Sequence, residues 1–273
     1  MAKQVAVDIG GSGVRLGMVN GATISQQCRT DASSKELLAI AIQEFAKDDV
    51  SDIAISVPGF VDADDGFVRL SRVAPWLEGN LAVDLKELAG AQNVLVVNDG
   101  EAHALSMLGN PNIRYGAICI SLGTSVSFGA VNKDQNVIRT LSGENWDIGE
   151  LWIRSQATDP HVWWSLGSRG LEELIANMSD KGFKHYGYRL GYTLSQLSML
   201  FRPNTIALTG GIIHNNWDKM SRQVVSELEH DMPSYAPVPN IVILDDKETV
   251  LLGLAQLLSG TLPKATKKSV EKI

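Results

Sequence analysis

The sequence predicts an α/β protein of two lobes with a cleft between them. Three observations predict it. Short β-branched apolar runs alternate with segments of helical periodicity. A strand–glycine turn–strand unit occurs once in each half, and acidic residues or glycine pairs recur where buried strands end.

Residues 4–8 (QVAVD) form a nearly continuous apolar run, the pattern of a strand covered on both faces. The glycines of 10–13 (GGSG) make a tight turn, and 14–20 (VRLGMVN) read as a returning strand, so the unit is a hairpin. A dinucleotide-binding fold needs its glycine motif to open a helix. The strand character after Gly13 excludes it. Residues 35–47 carry apolar side chains at helical spacing, with Ser33 or Ser34 as cap. Residues 52–57 (DIAISV) are a buried strand ending at Pro58-Gly59, 81–88 a short helix, and 93–97 (NVLVV) a strand that delivers Asn98-Asp99 into a helix over 100–108.

Four turn-formers at 109–112 mark a break. The same grammar then restarts: a strand at 115–121, a turn at 122–124 and a returning strand at 126–131. The clearest helix is 185–201, stopped by Pro203; 205–209 (TIALT) is a buried strand ending in Gly210-Gly211, 240–244 a last strand and 249–259 a last helix. The lobes are thus expected at 1–112, rejoined by a C-terminal helix at 249–262, and at 113–248, with a Lys-rich tail over 263–273.

Composition narrows the function classes. Hydrophobic residues make up 44% and charged residues 20% of 273, enough for a packed core and against wholesale disorder. A formal charge of −7 argues against a nucleic-acid-coating surface. Cys28 and Cys119 stand far apart and build neither a disulfide framework nor a zinc site on their own. There is no signal pattern at the N-terminus and no apolar run near the roughly 20 residues a membrane span needs. A cytoplasmic protein with no membrane or nucleic-acid partner is expected.

Four segments carry candidate chemistry. Asp8, at a strand end beside the 10–13 turn, can hold a hydrated Mg²⁺, while bare backbone N–H groups of the turn admit phosphate and Ser12 adds a hydroxyl. Gly123-Thr124 is a second small-residue turn at the same place in the second unit. Asp99, at the carboxyl end of a buried strand, is placed to take a proton from a hydroxyl as general base, and the helix it opens would hold it ionised at neutral pH. Gly210-Gly211 allows close approach of a flat ring or a phosphate. Each alone also fits an ordinary turn or helix cap; their order along the chain is the stronger signal.

That order resembles the ROK sugar kinases of the sugar-kinase/actin superfamily, from Val5 to Ala255. DIGGSGVRLGMVN (8–20) resembles the first phosphate motif, SVPGFVD (56–62) the PG segment, VVNDGEAHAL (96–105) the Asn-Asp segment, ISLGTSVSFGAV (120–131) the second phosphate motif and IALTGGII (206–213) the adenosine-side motif. The resemblance implies an actin-like, ribonuclease-H-like ATPase fold. It implies phosphoryl transfer from Mg²⁺-ATP to the 6-hydroxyl of a hexose, glucose first, and leaves polyphosphate open as donor. It makes Asp99 the base and Asn98 a sugar ligand beside Gly59. Asp8 would orient Mg²⁺; Gly10, Gly11, Ser12, Gly13, Gly123 and Thr124 would hold phosphates, and Gly210 and Gly211 would lie beside the base.

Departures matter as well. LSGENWDIG (141–149) keeps Gly143-Glu144 of the family's GExGH segment, but Asp147 stands where the His would be and no cysteine follows, so no zinc site is expected. Glu144 and Asp147 are the sugar-side candidates, with Glu150 as the alternative register for Glu144. The short length and the missing zinc motif resemble the polyphosphate-using glucokinases of this family. Ser125 and Ser127 replace glycines of the second phosphate turn, which motivates the alternative of a weak or silent sensor or partner subunit. An N-terminal DNA-binding helix pair is not expected, because strand character begins by Gln4; a homodimer is left open.

Other prominent residues take plainer readings. Trp146, Trp152, Trp163 and Trp164 are expected in packing or a subunit interface, and the five histidines have no ligand spacing. Tyr186, Leu190, Leu194, Leu197 and Leu200 recur at helical steps and are expected in the core.

Overall fold

The computed structural model describes residues 3–11, 13–47, 49–152, 161–244 and 249–260. Ser12 and the Lys-rich segment 263–273 lie outside the described residues. The first sheet is built from β1 (Lys3–Gly10), β2 (Gly13–Asn20), β3 (Thr23–Thr30), β4 (Val50–Val57) and a later strand, with α1 (Lys35–Ala46) between β3 and β4. A small sheet follows, β5 (Phe60–Asp62), β6 (Phe67–Leu70) and β7 (Gly79–Asn80), then α2 (Leu81–Ala89), β8 (Asn93–Asn98) and α3 (Asp99–Leu105). The second half contributes β9 (Ala117–Leu122), β10 (Val126–Val131), α4 (Val162–Ser165), α5 (Ser168–Met178), α6 (Lys181–Phe201), β11 (Thr205–Thr209), α7 (Gly211–Asp231), β12 (Asn240–Ile243) and α8 (Thr249–Leu258).

The strand orders make the internal repeat explicit. The first sheet runs β3-β2-β1-β4-β8, with β1 antiparallel to β2 and parallel to β4. The second runs β10-β9-β11-β12, with β9 antiparallel to β10 and parallel to β11. In both, a hairpin supplies the antiparallel half and crossover helices supply the parallel half. Each sheet has its own core: Val5, Val7, Ile53 and Ile55 pack with Leu38 and Ile42 of α1 in one, and Ile118, Ile120 and Ile206 with Tyr186, Leu190 and Leu194 of α6 in the other.

Helices α3 and α8 lie between the two sheets. Ala102 of α3 packs with Leu251 and Leu254 of α8 over Ala6 and Ala54 of the first sheet. On its other side α3 meets β10 backbone to backbone. A Cβ at Gly100 would collide with the main chain of Phe128, and one at Gly129 with the carbonyl of Gly100. This contact fixes the head of α3, and with it Asp99, relative to the second hairpin.

Local signals explain the elements. Ser34 accepts from the Leu37 N–H to cap α1, Asn80 accepts from Val83 to cap α2, and Gly90 ends α2 in the left-handed region. The core expectation for α6 needs one correction: Leu200 is 72% exposed. Phe201 takes its place in the buried stripe, packing on Phe128 and Trp146, because the helical repeat turns residue 200 outward. Among the described residues no helix is long and apolar enough to cross a membrane.

Candidate functional site

A cleft of about 750 Å³ opens between the lobes. Its walls are the two hairpin turns, the β4–β5 connection at Pro58-Gly59, the heads of α3 and α7, and the 145–150 segment. Twelve of the sequence-predicted site residues line it: Asp8, Gly10, Gly11, Gly13, Gly59, Asn98, Asp99, Gly123, Thr124, Asp147, Gly210 and Gly211.

The glycine turns face open space. A Cβ built on Gly10, Gly11, Gly123 or Gly211 would meet no atom within 4 Å, so bare backbone is presented to the cleft from both lobes. Gly210 has φ +94, and a Cβ there would strike the Leu122 main chain, so this position serves the close packing of β11 on β9.

Asp99 sits at the floor. Asn98 caps α3 by accepting from the Gly100 N–H at 2.8 Å and donates through Nδ2 to the Gly59 carbonyl at 2.8 Å, which ties β8 to the β4–β5 connection. The same Gly100 N–H also reaches Asp99 Oδ1 at 3.0 Å. Burial, followed by the charge of Asp8, pushes the Asp99 carboxyl up to about 7, although part of its surface still faces the cleft. This corrects the expectation that the head of α3 holds Asp99 ionised. The backbone and Asn98 contacts do favour the charged form, but desolvation and a like charge outweigh them.

Asp8 is 7% exposed and stands opposite Arg15 in the β1–β2 register. No sequence motif marks Arg15 as a site residue, although counting back from the Gly10–Gly13 pair places it across from Asp8. One turn into α3, His103 also lines the cleft. Burial, followed by the Arg15 charge, pulls it down to about 4, which leaves it neutral at physiological pH. Arg29, Arg72 and Arg169 bring further cationic groups to the walls.

The 145–150 segment forms the remaining wall. Asn145, buried, accepts from the Val61 N–H at 2.9 Å and anchors the segment to the small sheet. Asp147 is raised above the ordinary carboxyl range by burial and then by Glu150, and Glu150 itself pairs with Arg72 at 2.9 Å. Glu144 does not line this wall. Its carboxylate is drawn to Arg69 at 2.6 Å and to Ser142, because its backbone bridges Asp62 on the small sheet; Glu150 is the glutamate on the cleft. Ser125 and Ser127 lie on the cleft at the second turn. The tryptophans divide. Trp146 packs on Phe201, Trp163 and Trp164 meet edge to face and line the cleft together with Trp146, and Trp152 is 73% exposed.

The arrangement can hold a polyanion on bare backbone and arginines while a carboxyl that titrates near neutrality meets a hydroxyl at the floor. No family model matches the sequence, and no curated protein does either. Solved structures do match. A ROK family glucokinase from Streptomyces griseus, in complex with glucose and AMPPNP, is 18% identical, with TM-score 0.78 over 94% of this chain and 99% of that one. An inorganic polyphosphate/ATP-glucomannokinase from Arthrobacter sp. strain KM is 19% identical, with TM-score 0.68 over 95% and 99%. A ROK family transcriptional regulator, a homolog of the E. coli MLC protein, is 16% identical, with TM-score 0.79 over 93% and 77%. This chain therefore has the two-lobed, actin-like fold of the ROK sugar kinases.

Proposed function

We propose that this protein is a sugar kinase that transfers a phosphoryl group from ATP, or from polyphosphate, to the 6-hydroxyl of a hexose, with glucose the first candidate. The observation that carries the reading is Asp99: a carboxyl at the cleft floor, poised near neutrality, within a cleft walled by the glycine turns of both lobes. Asp99 takes the proton as the acceptor oxygen attacks the terminal phosphorus; the new O–P bond forms as the bond to the leaving phosphate oxygen breaks. Asn98 and Gly59 fix the acceptor beside it, with Asp147 and Glu150 opposite, and the turns at 10–13 and 123–124 hold the donor phosphates. Gly210 and Gly211 lie on the base side. The lobes are assigned as 1–112 with the returning helix from 249, and 113–248.

The donor set fits a magnesium–phosphate complex, because a buried carboxylate, Asp8, stands beside a cradle of glycines that side chains would fill. Asp8 would hold the ion; when bound it neutralises phosphate charge. Arg15 keeps Asp8 compensated meanwhile.

The test is mass-spectrometric detection of hexose phosphate from a panel of sugars, with ATP and magnesium or with polyphosphate. Product that disappears in Asp99→Asn supports the reading. Undiminished product in that variant, or none from any pairing, sinks it. A second reading, a sugar or nucleotide sensor with little turnover, is favoured by Ser125 and Ser127 standing on the donor wall. Glycine at both positions raises turnover if the chain is a weakened kinase, and leaves a sensor silent.

A further inference from the structure

His103 is 7% exposed and lines the cleft, and among the described residues its Nδ1, itself shut off from solvent, has no hydrogen-bond partner. With Nδ1 left as an inward lone pair, the neutral ring carries its proton on Nε2, and it is this N–H that the residue's place on the cleft wall opens to a partner supplied from outside the chain. The side chain follows Asp99 by four residues and so shares its face of α3. Its charged neighbour is Arg15, on the β2 arm of the first glycine hairpin. The acceptor-side groups Asp147 and Glu150 belong instead to the opposite lobe's segment, next to Arg72. Ser56, in register with Asp8 on β4, is fully buried and its Oγ is likewise without a partner. Among the described residues, the Asp8 side of the floor thus carries two buried polar atoms without a partner, one of them in a residue of the cleft wall.

We propose that His103 binds the phosphoryl donor, giving one N–H to an oxygen of its phosphate chain on the Asp8–Arg15 side of the cleft. This rests on the kinase reading and adds a donor contact to it. An uncharged imidazole suits the place. It offers a hydrogen bond to phosphate without a second full positive charge beside Arg15, which would compete for Asp8.

Isothermal titration calorimetry with a non-hydrolysable ATP analogue and with tripolyphosphate, on wild type, His103→Phe and His103→Gln, tests the assignment. His103→Phe should weaken both phosphate ligands about tenfold or more. His103→Gln, which keeps an N–H donor, should recover most of that loss. Glucose affinity should be unchanged in His103→Phe. The ligand-free variant should melt no lower than wild type, because the orphaned nitrogen is gone. Unchanged donor affinity in His103→Phe overturns the assignment while the kinase reading stands, and equal weakening of sugar and donor overturns it in favour of a structural role. A wild type that binds neither phosphate ligand removes the kinase reading together with it.

Discussion

Arg15 donates to Asp8 Oδ2, through Nε at 2.9 Å and Nη2 at 2.6 Å, from the position directly across the β1–β2 pair. The charge that Arg15 partly neutralises is the one that raises Asp99. Arg15→Met therefore acts twice. It leaves Asp8 buried with less compensation, which should cost about 1–3 kcal/mol, discounted because the guanidinium is partly open to the cleft. At roughly 2–4 °C per kcal/mol, calorimetry should show a melting point lower by several degrees. It should also move the titration of Asp99 to higher pH. An unchanged melting point and pH profile would show that Arg15 does not compensate Asp8.

The pH dependence of catalysis follows from Asp99. A general base must be ionised, so kcat/KM should rise about tenfold per pH unit below about 7 and level off above it. Asp8→Asn removes the second cause of the shift but not the burial, so the midpoint should fall while staying above the ordinary carboxyl range. Stability should run the opposite way. The folded state binds the Asp99 proton more tightly than the unfolded chain, so the contribution from this group is greatest below about pH 4 and declines as pH rises to 7. Melting curves should show Asp99→Asn gaining on wild type between pH 4 and pH 8. A pH-independent difference would contradict the buried, raised carboxyl.

The parts of this molecule that were legible in the sequence are those governed by burial and by turn chemistry. β1, β4, β8, β9 and β11 are short apolar runs, and the glycine turns announce both hairpins. β3 (TISQQCRT) gave no signal, because this edge strand is exposed on both faces over most of its length and so carries no apolar alternation. The strands of the small sheet are too short to show a period. Within the cleft, residues at strand ends were readable, since a strand that stops at Asp or Gly-Gly projects them to one side. No motif marks Arg15, and His103 reads only as one of five histidines without ligand spacing, because their importance comes from what β2 and α3 set beside them. Glu144 misled for a related reason: local spacing places the segment but does not decide which of two nearby glutamates faces inward.

Adjacent glycines at the head of α7 should respond oppositely to the same change. Gly211→Ala meets open space at a helix start, so it should hold or raise stability by about 0.4–1 kcal/mol while crowding the cleft and raising the KM for donor severalfold. Gly210→Ala forces a side chain into the left-handed region and against the Leu122 backbone, so it should lower the melting point sharply. Thermal shift and donor titration on the two purified variants check the pair. Equal losses of stability would mean that Gly211 is packed as tightly as Gly210.

Asn145 separates placement of the acceptor wall from chemistry at the floor. Its Oδ1 takes the buried Val61 N–H at 2.9 Å, holding the segment that carries Asp147 and Glu150 against the small sheet. Asn145→Ala leaves that N–H unsatisfied, a loss of about 1–3 kcal/mol, and frees the segment to shift. Because Asp99 and the glycine turns are untouched, the variant should raise the KM for sugar about tenfold, leave the KM for donor nearly unchanged and lower kcat less than tenfold. Asn145→Asp keeps an acceptor for the Val61 N–H and should recover most of the sugar affinity. Steady-state kinetics with each substrate varied in turn reads the split. A fall confined to kcat would place Asn145 in the chemical step instead of the acceptor wall.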